Sequence, residues 1–242
     1  PYTAPHFPIP ARPEDIARYR GAYLEGWDVI REKRHKGLLD AGLITKGWEL
    51  SSRAPGVPEW EDLEKEEREK WDLHMAVYAA MIDRMDQGIG KIMEKVSQLG
   101  IEQDTLVMFL SDNGACAEED AAFNTTARGI APGPLESYRT QGLPWANVSN
   151  TPFRKFKWWL HEGGIASPLI VHWPRGLKIK KGTITDQVGH LVDFMPTCLD
   201  LAGANYPGKD SNAKLMGKSL LPVFKGDKRE EHKFLYFHFG NN

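Results

Sequence analysis

Residues 105–114 read Thr-Leu-Val-Met-Phe-Leu-Ser-Asp-Asn-Gly, an apolar run that ends in a polar turn. The first six residues are continuously apolar and rich in β-favouring side chains, which is typical of a strand buried on both faces of a parallel sheet. Before them, apolar residues recur at spacings of three and four from Met75 to Leu99, and this pattern predicts an amphipathic helix that ends at Gly100. A helix followed directly by a buried strand is half of a βαβ unit.

The alternation of helix and strand continues on both sides of this run. Helices are predicted over residues 13–36 and 188–201, and further strands over residues 169–173 and 234–239. Residues 111–150 show no convincing period, and so long an irregular stretch inside a compact domain indicates a functional or partly disordered loop rather than a plain connection. The pattern predicts an α/β protein with a mostly parallel sheet flanked by helices.

Composition and charge exclude several classes of protein. The 242 residues carry 31 Lys and Arg against 33 Asp and Glu, so the broad basic field that nucleic-acid binding requires is missing and no nucleic-acid partner is expected. The longest apolar runs are far shorter than the roughly 20 residues that a membrane span needs. The two cysteines, Cys116 and Cys198, cannot form a disulfide framework and lack zinc-ligand spacing.

Asp112 and Asn113 follow the predicted strand directly. In open α/β sheets ligands bind at the carboxyl ends of strands, so these side chains occupy a suitable place for a site. A carboxylate beside an amide carbonyl offers two hard oxygens, which suit Ca²⁺ or Mg²⁺ better than zinc. Asp-Asn-Gly is equally good chemistry for a β-turn, and that interpretation stays open at this point.

Two basic residues are the other candidates for chemistry. His6 lies between prolines in Ala4-Pro-His-Phe-Pro8, where a stiff backbone can aim one imidazole into a cleft as a general acid. Lys157 precedes a Gly-Gly turn at residues 163–164 and can place an ammonium against an anionic group. Each residue taken alone also fits a solvated side chain without a catalytic role.

Seven short segments in register resemble the sulfatase family of the alkaline-phosphatase-like superfamily. They run from Ala4-Pro-His-Phe-Pro8 through Gly26-Trp-Asp-Val-Ile-Arg31, Tyr78-Ala-Ala-Met-Ile-Asp83, Thr105 to Gly114, Asn150-Thr-Pro-Phe-Arg154 and Lys157 with Glu162-Gly-Gly-Ile165 to Asp193-Phe-Met-Pro-Thr197. No single segment is specific, but their order and spacing match over nearly the whole chain. The resemblance implies an alkaline-phosphatase-like fold, here as a partial domain.

The resemblance also implies an activity and a role for each candidate residue. Sulfatases hydrolyse sulfate esters with a formylglycine, made from Cys or Ser, beside a bound calcium. Asp112 and Asn113 fall on metal-ligand positions, with Ca²⁺ favoured over Mg²⁺. Lys157 falls on the lysine that binds a sulfate oxygen, and His6 on the histidine near the leaving-group oxygen. A divalent cation and an ammonium stabilise the charge that develops on sulfuryl oxygens, and an acidic imidazole can protonate the leaving oxygen.

Departures from the family pattern concern its N-terminal part. The nucleophile motif, Cys or Ser followed by x-Pro-x-Arg, does not occur: Cys116 and Cys198 lack the downstream proline, and Ser149 is one residue too far from Pro152. The early Asp-Asp pair of metal ligands and the Lys-x-His that holds the sulfate are also missing. Lys33-Arg-His35 fits the latter pattern but lies on a predicted helix on the wrong side of His6.

We therefore expect residues 1–242 to be the central and C-terminal part of one sulfatase-type catalytic domain, with the nucleophile outside them. Residues 235–241 resemble the strand that leads into the smaller C-terminal sheet of the family, and the chain alone is expected to hydrolyse nothing. The expected partner is a small-molecule or glycan sulfate ester, and the family resemblance implies a secreted, periplasmic or lysosomal compartment. A phosphonate or phosphate-ester hydrolase, or a non-catalytic homologue that binds sulfated glycans, are the alternatives.

Overall fold

The computed structural model describes residues 2–118, 129–206 and 214–240, which form two compact units. The first unit comprises Pro1–Glu94, Asn113–Ser167 and Phe239–Asn242, and the second comprises Lys95–Asp112 and Pro168–His238. The described elements, in chain order, are α1 (Pro13–Ala17), α2 (Trp27–Asp40), α3 (Lys65–Gln98), β1 (Val107–Phe109), α4 (Gly142–Ser149), α5 (Glu162–Ile165), β2 (Ile170–His172), α6 (Phe194–Ala202) and α7 (Leu221–Phe224).

Helix α3 confirms the prediction made from its apolar period. It begins at Lys65, ends at Gln98 and is followed by Gly100, whose positive φ of 70° suits a helix end. Its buried residues Ala76, Val77 and Ala80 pack with Ile9 and Ile16 in one core of the first unit. Within the described ranges, no helix is long and apolar enough to cross a membrane.

The single helix predicted over residues 13–36 is instead two helices, and the physical reason lies between them. The buried carboxylate of Asp72 accepts hydrogen bonds from the backbone N–H groups of Gly21 and Tyr23, at 3.0 and 3.1 Å, which holds this segment in a turn. Gly26 has a φ of 87°, and a Cβ there would lie 2.3 Å from the Trp60 ring. The chain therefore cannot stay helical through this point.

A cluster of tryptophans forms the second core of the first unit. The ring of Trp27 meets those of Trp60, Trp71 and Trp145 edge to face, with centroids 4.7, 5.9 and 5.8 Å apart. The indole N–H of Trp145 donates to the Trp71 carbonyl at 2.9 Å, so its polar atom is satisfied inside the core. Helix α4 carries Trp145 and packs on α2, which fixes the segment that leads to Asn150.

The two predicted strands pair with each other in the second unit, and their orientation corrects the expectation of a parallel arrangement for them. Strands β1 and β2 are antiparallel, with Met108 opposite Val171. The cause is the path of the chain after β1. The Gly114 N–H donates to the Gly164 carbonyl at 2.9 Å, so the chain enters β2 near the point at which it left β1. Parallel pairing would need a crossover to the opposite end of the strand.

Burial and the last predicted strand also differ from expectation. Phe109 and Ile170 are exposed, so β1 and β2 are not covered on both faces by the described part of the chain. Residues 234–239 form no strand, and no described strand pairs with them; Phe234 and Tyr236 extend into solvent. Asn241, at the end of the segment that resembles a family strand, lies outside the described residues.

Helix α6 is shorter than the helix predicted over residues 188–201. It begins at Phe194 because the Asp193 carboxylate accepts the His190 N–H at 2.9 Å, in a short 3-10 turn formed by Leu191–Asp193. Pro196 falls in the first turn, where its missing N–H costs no helical hydrogen bond. Gly203, with a φ of 60°, ends the helix.

Candidate active site

His6 and Lys157 are brought together in the first unit, although 151 positions separate them in the sequence. The Lys157 Nζ lies 2.8 Å from Nε2 of His6, and the other ring nitrogen, Nδ1, lies 2.7 Å from the Phe7 carbonyl oxygen. A carbonyl only accepts, so Nδ1 carries the proton and Nε2 accepts from the ammonium. The imidazole is exposed and the ammonium half-buried.

Backbone contacts connect Lys157 to the segment that begins with Asn113. The Lys157 N–H donates to the Ala115 carbonyl at 3.1 Å, two residues beyond Asn113. Asn150 holds the same segment from the other side: its Oδ1 accepts the Ala115 N–H at 2.9 Å, and its Nδ2 donates to the Lys155 carbonyl at 3.1 Å. One amide side chain thus joins the segment after the candidate metal ligands to the segment that carries the ammonium.

Close approach of glycines explains the Gly-Gly turn after Lys157. A Cβ on Gly114 would lie 1.7 Å from the Gly163 carbonyl oxygen, and a Cβ on Gly164 would lie 2.0 Å from the Trp159 carbonyl oxygen. Only glycine fits at either place. The Gly-Gly turn therefore serves backbone packing against Gly114, which brings Lys157 beside Ala115.

Asp112 and Asn113 lie in the bend after β1. Asp112 is exposed and is the last residue of the first segment of the second unit, and Asn113 is half-buried and begins a segment of the first unit. Their oxygens suit a hard cation, but Ca²⁺ takes about six to eight oxygen ligands, so two side chains are an incomplete set. In residues 2–118, 129–206 and 214–240, no group of three or more His, Cys, Asp or Glu side chains could hold a metal ion.

Glu118 is a residue of this neighbourhood that sequence reasoning missed. Its Oε1 accepts a hydrogen bond from the Trp158 indole N–H at 2.9 Å and lies 3.9 Å from the Lys157 Nζ. Cys116 donates its thiol hydrogen to the same carboxylate. No pattern in the sequence marks Glu118, because Trp158 and Lys157 are about forty residues away from it. Residues 119–128, which follow Glu118, lie outside the described residues.

Lys33 and His35 do not form a sulfate-holding pair. Both project from α2, where Lys33 pairs with Glu25 and the His35 Nε2 lies 2.7 Å from the Trp48 carbonyl oxygen. Their contacts are those of a helix surface and its neighbouring loop, as the sequence predicted.

The two cysteines should differ in reactivity. Burial raises the pKa of the Cys116 thiol to about 12, and its hydrogen bond to Glu118 acts in the same direction, whereas Cys198 is exposed on α6. Since the thiolate is the reactive form, we expect iodoacetamide at about pH 8 to alkylate Cys198 well before Cys116. Peptide mass spectrometry over time measures both rates, and the unfolded protein, where the rates should converge, is the control. Equal rates in the folded protein would contradict this assignment.

Comparisons with known proteins agree on one family. A family model described as Sulfatase matches residues 2–204. An uncharacterized sulfatase of Schizosaccharomyces pombe is 35% identical over 237 residues, covering 91% of this chain and 41% of that protein. The arylsulfatase of Klebsiella aerogenes is 32% identical over 231 residues, covering 92% and 48%. The steryl-sulfatase of Mus musculus is 36% identical over 170 residues, covering 70% and 23%. The chain spans less than half the length of each of these relatives.

A solved structure supports the same conclusion for the fold. The crystal structure of Ps i-CgsB in complex with k-i-k-neocarrahexaose aligns with a TM-score of 0.50 at 22% identity, over 91% of this chain and 31% of that one. The likeness confirms the α/β, alkaline-phosphatase-like fold class, present here as a partial domain. With a family model that matches most of its residues and relatives of the same kind along nearly its whole length, the chain belongs to the sulfatase family.

Proposed function

We propose that these residues contribute to a sulfuric ester hydrolase, an arylsulfatase-like enzyme that acts on a small-molecule or glycan sulfate ester. The observation that carries the proposal is the contact between the Lys157 ammonium and Nε2 of His6 at 2.8 Å. Sulfuryl transfer needs a positive charge near the non-bridging oxygens of the sulfate and a proton at the leaving oxygen. All of these oxygens are bonded to the same sulfur atom, so the two needs arise close together. An ammonium and an imidazole in contact can serve these two needs at once.

The contact also suggests which step of the reaction each of the two side chains assists. In the structure Nε2 of His6 accepts from the ammonium and so carries no proton. When Lys157 turns its N–H groups toward a sulfate oxygen, Nε2 is released and can take up a proton from solvent, which the imidazolium then gives to the leaving oxygen. Lys157 would thus bind the sulfuryl group, and His6 would act as the general acid.

Asp112 and Asn113 are the residues that we propose for the metal, because both offer hard oxygens, which suit Ca²⁺ or Mg²⁺ better than zinc. The family resemblance favours Ca²⁺ over Mg²⁺. A bound divalent cation would stabilise negative charge on the sulfuryl oxygens. The nucleophile is proposed to be a formylglycine outside residues 1–242, since no Cys or Ser within them has the x-Pro-x-Arg context. Residues 1–242 are then the central and C-terminal part of one catalytic domain.

A rate comparison on two substrates tests the function. The full-length protein, with calcium supplied, is assayed on nitrophenyl sulfate and nitrophenyl phosphate. We expect the larger kcat/KM on the sulfate ester, and chelation of the metal should abolish turnover. A larger value on the phosphate ester would instead support a phosphate-ester hydrolase. Saturable binding of a sulfated glycan without product, from the same preparation, would support a non-catalytic binding protein.

A further inference from the structure

The Glu118 carboxylate is surrounded by hydrogen-bond donors although it lies in a loop. Cys116 donates its thiol hydrogen to it, the Trp158 indole N–H donates to its Oε1 at 2.9 Å, and the Lys157 Nζ is 3.9 Å from that same oxygen. The side chain of Glu118 is only 12% exposed, and that of Lys157 is 25% exposed. A carboxylate so enclosed is stable as an anion only when donors and a positive charge surround it.

The ionisation of these groups follows from their surroundings. Burial alone would raise the pKa of the Glu118 carboxyl, but the hydrogen bonds from Cys116 and Trp158, with the charge of Lys157, hold it below its ordinary value. Since burial raises the pKa of Cys116 to about 12, its thiol keeps the hydrogen that it donates. The carboxylate is therefore charged at neutral pH, and the charge faces Lys157.

The backbone is held in an unusual conformation that makes this arrangement possible. Trp158 has a φ of 84°, in the left-handed region that bulky side chains rarely adopt. In an extended chain, consecutive side chains point to opposite faces. With Trp158 in the left-handed region, the side chains of residues 157 and 158 both reach the one carboxylate.

We propose that Glu118 is a positioning residue that holds the Lys157 ammonium beside His6, with Cys116 and Trp158 fixing the orientation of its carboxylate. The proposal deepens the proposed function and rests on it, because the ammonium it holds is the group assigned to the sulfuryl oxygens. Glu118 does not touch the substrate. It acts by keeping the Lys157 Nζ in one place, so less rearrangement is needed when charge develops on the substrate.

Two variants separate the charge of the carboxylate from its shape. Glu118→Gln keeps one oxygen that can accept from Trp158 and removes the negative charge that faces Lys157, while its NH2 replaces the oxygen that accepts from Cys116. Trp158→Phe keeps an aromatic ring but removes the indole N–H, so the carboxylate loses one of its anchors. Glu136→Gln, an exposed carboxylate of the same unit, is the matched control.

The first readout does not depend on activity. Lysine labelling with acetic anhydride, followed by peptide mass spectrometry, measures the accessibility of the Lys157 amine, with the exposed Lys181 as internal reference. We expect Lys157 to react faster in Glu118→Gln than in the wild type, less so in Trp158→Phe, and at the wild-type rate in Glu136→Gln. An unchanged rate in Glu118→Gln would overturn the proposal.

The second readout is the kinetics of the full-length enzyme on an aryl sulfate. Glu118→Gln should lower kcat on the order of tenfold, the effect of losing one modest charged interaction, while KM changes little. A lower melting temperature with unchanged kcat would show a merely structural role and overturn the proposal. If the wild type turns over no sulfate ester but Lys157 labelling still responds to Glu118→Gln, the positioning of Lys157 stands and the proposed function fails.

Discussion

Lys157→Ala in the full-length protein is expected to lower kcat on an aryl sulfate by about two to three orders of magnitude, with a smaller change in KM. Removing one donor aimed at developing charge costs about that much in other enzymes. The half-buried ammonium sits between Glu118 and Nε2 of His6, at 3.9 and 2.8 Å, so its position is set by the protein before substrate arrives. Lys181→Ala, which removes an exposed lysine, is the control and should behave as the wild type.

His6→Gln separates the acid from the ammonium in the same experiment. A Gln carbonyl can still accept from Lys157 but cannot deliver a proton. General acid catalysis contributes about 10²–10⁴-fold, and the contribution is small when the leaving group is already acidic. We expect His6→Gln to impair an alkyl sulfate far more than a nitrophenyl sulfate, whereas Lys157→Ala should impair both similarly. Equal losses for His6→Gln on the two substrates would contradict the acid role.

The elements that could be predicted from the sequence are those with a long, one-sided pattern. Helix α3 is one, because its apolar residues recur at spacings of three and four over many turns, although its fully buried residues all lie between Asp72 and Ala80. Helix α4 is the opposite case: Pro144, Trp145, Ala146, Asn147 and Val148 are all buried, so no polar face marks the helix, and it lay inside the stretch predicted to be irregular.

Strand orientation and the partners of the candidate residues depend on contacts that are distant in the sequence. The positions of β1 and β2 followed from their apolar runs, but their antiparallel pairing depends on where the chain returns, at Gly114 and Gly164. His6 and Lys157 were chosen from local context and the family resemblance. Nothing local to Glu118 indicates that it lies near Lys157 and Trp158, since only the tertiary structure brings them together.

The second unit contains a buried carboxylate whose loss should strongly reduce its stability. The Asp193 side chain is fully buried and accepts four hydrogen bonds, from Arg229 Nη2 at 3.0 Å, His232 Nε2 at 2.8 Å, and the backbone N–H groups of His190 and Lys218 at 2.9 and 2.8 Å. These donors come from three separate segments of the unit. Asp193 thus joins the start of α6 to the two segments that contain Lys218 and Arg229.

Asp193→Ala leaves the Arg229 guanidinium, only 2% exposed, without its counter-charge. Breaking a buried ion pair by removing one partner costs about 3–5 kcal/mol, because the remaining charge stays buried. We expect the free energy of unfolding of this unit to fall by about that amount, and Asp193→Asn, which keeps the size but not the charge, to fall nearly as far. Asp200→Asn, an exposed carboxyl on the same helix, is the matched control and should change little.

The pH dependence gives a second test of the same pair. Burial alone would raise the pKa of Asp193, but the hydrogen bonds from Lys218, His190, His232 and Arg229 hold it below its ordinary value. A group whose pKa is lowered by folding stabilises the protein above its unfolded pKa, near 4 for Asp, and this contribution is lost as pH falls through the folded value. The stability difference between the wild type and Asp193→Asn should therefore be full at neutral pH and shrink in acid. Hydrogen exchange at the backbone amides of His190 and Lys218 measures this stability difference directly, because both amides donate to the Asp193 carboxylate. A difference that stays constant down to strong acid would show that the charge of Asp193 is not what stabilises the unit.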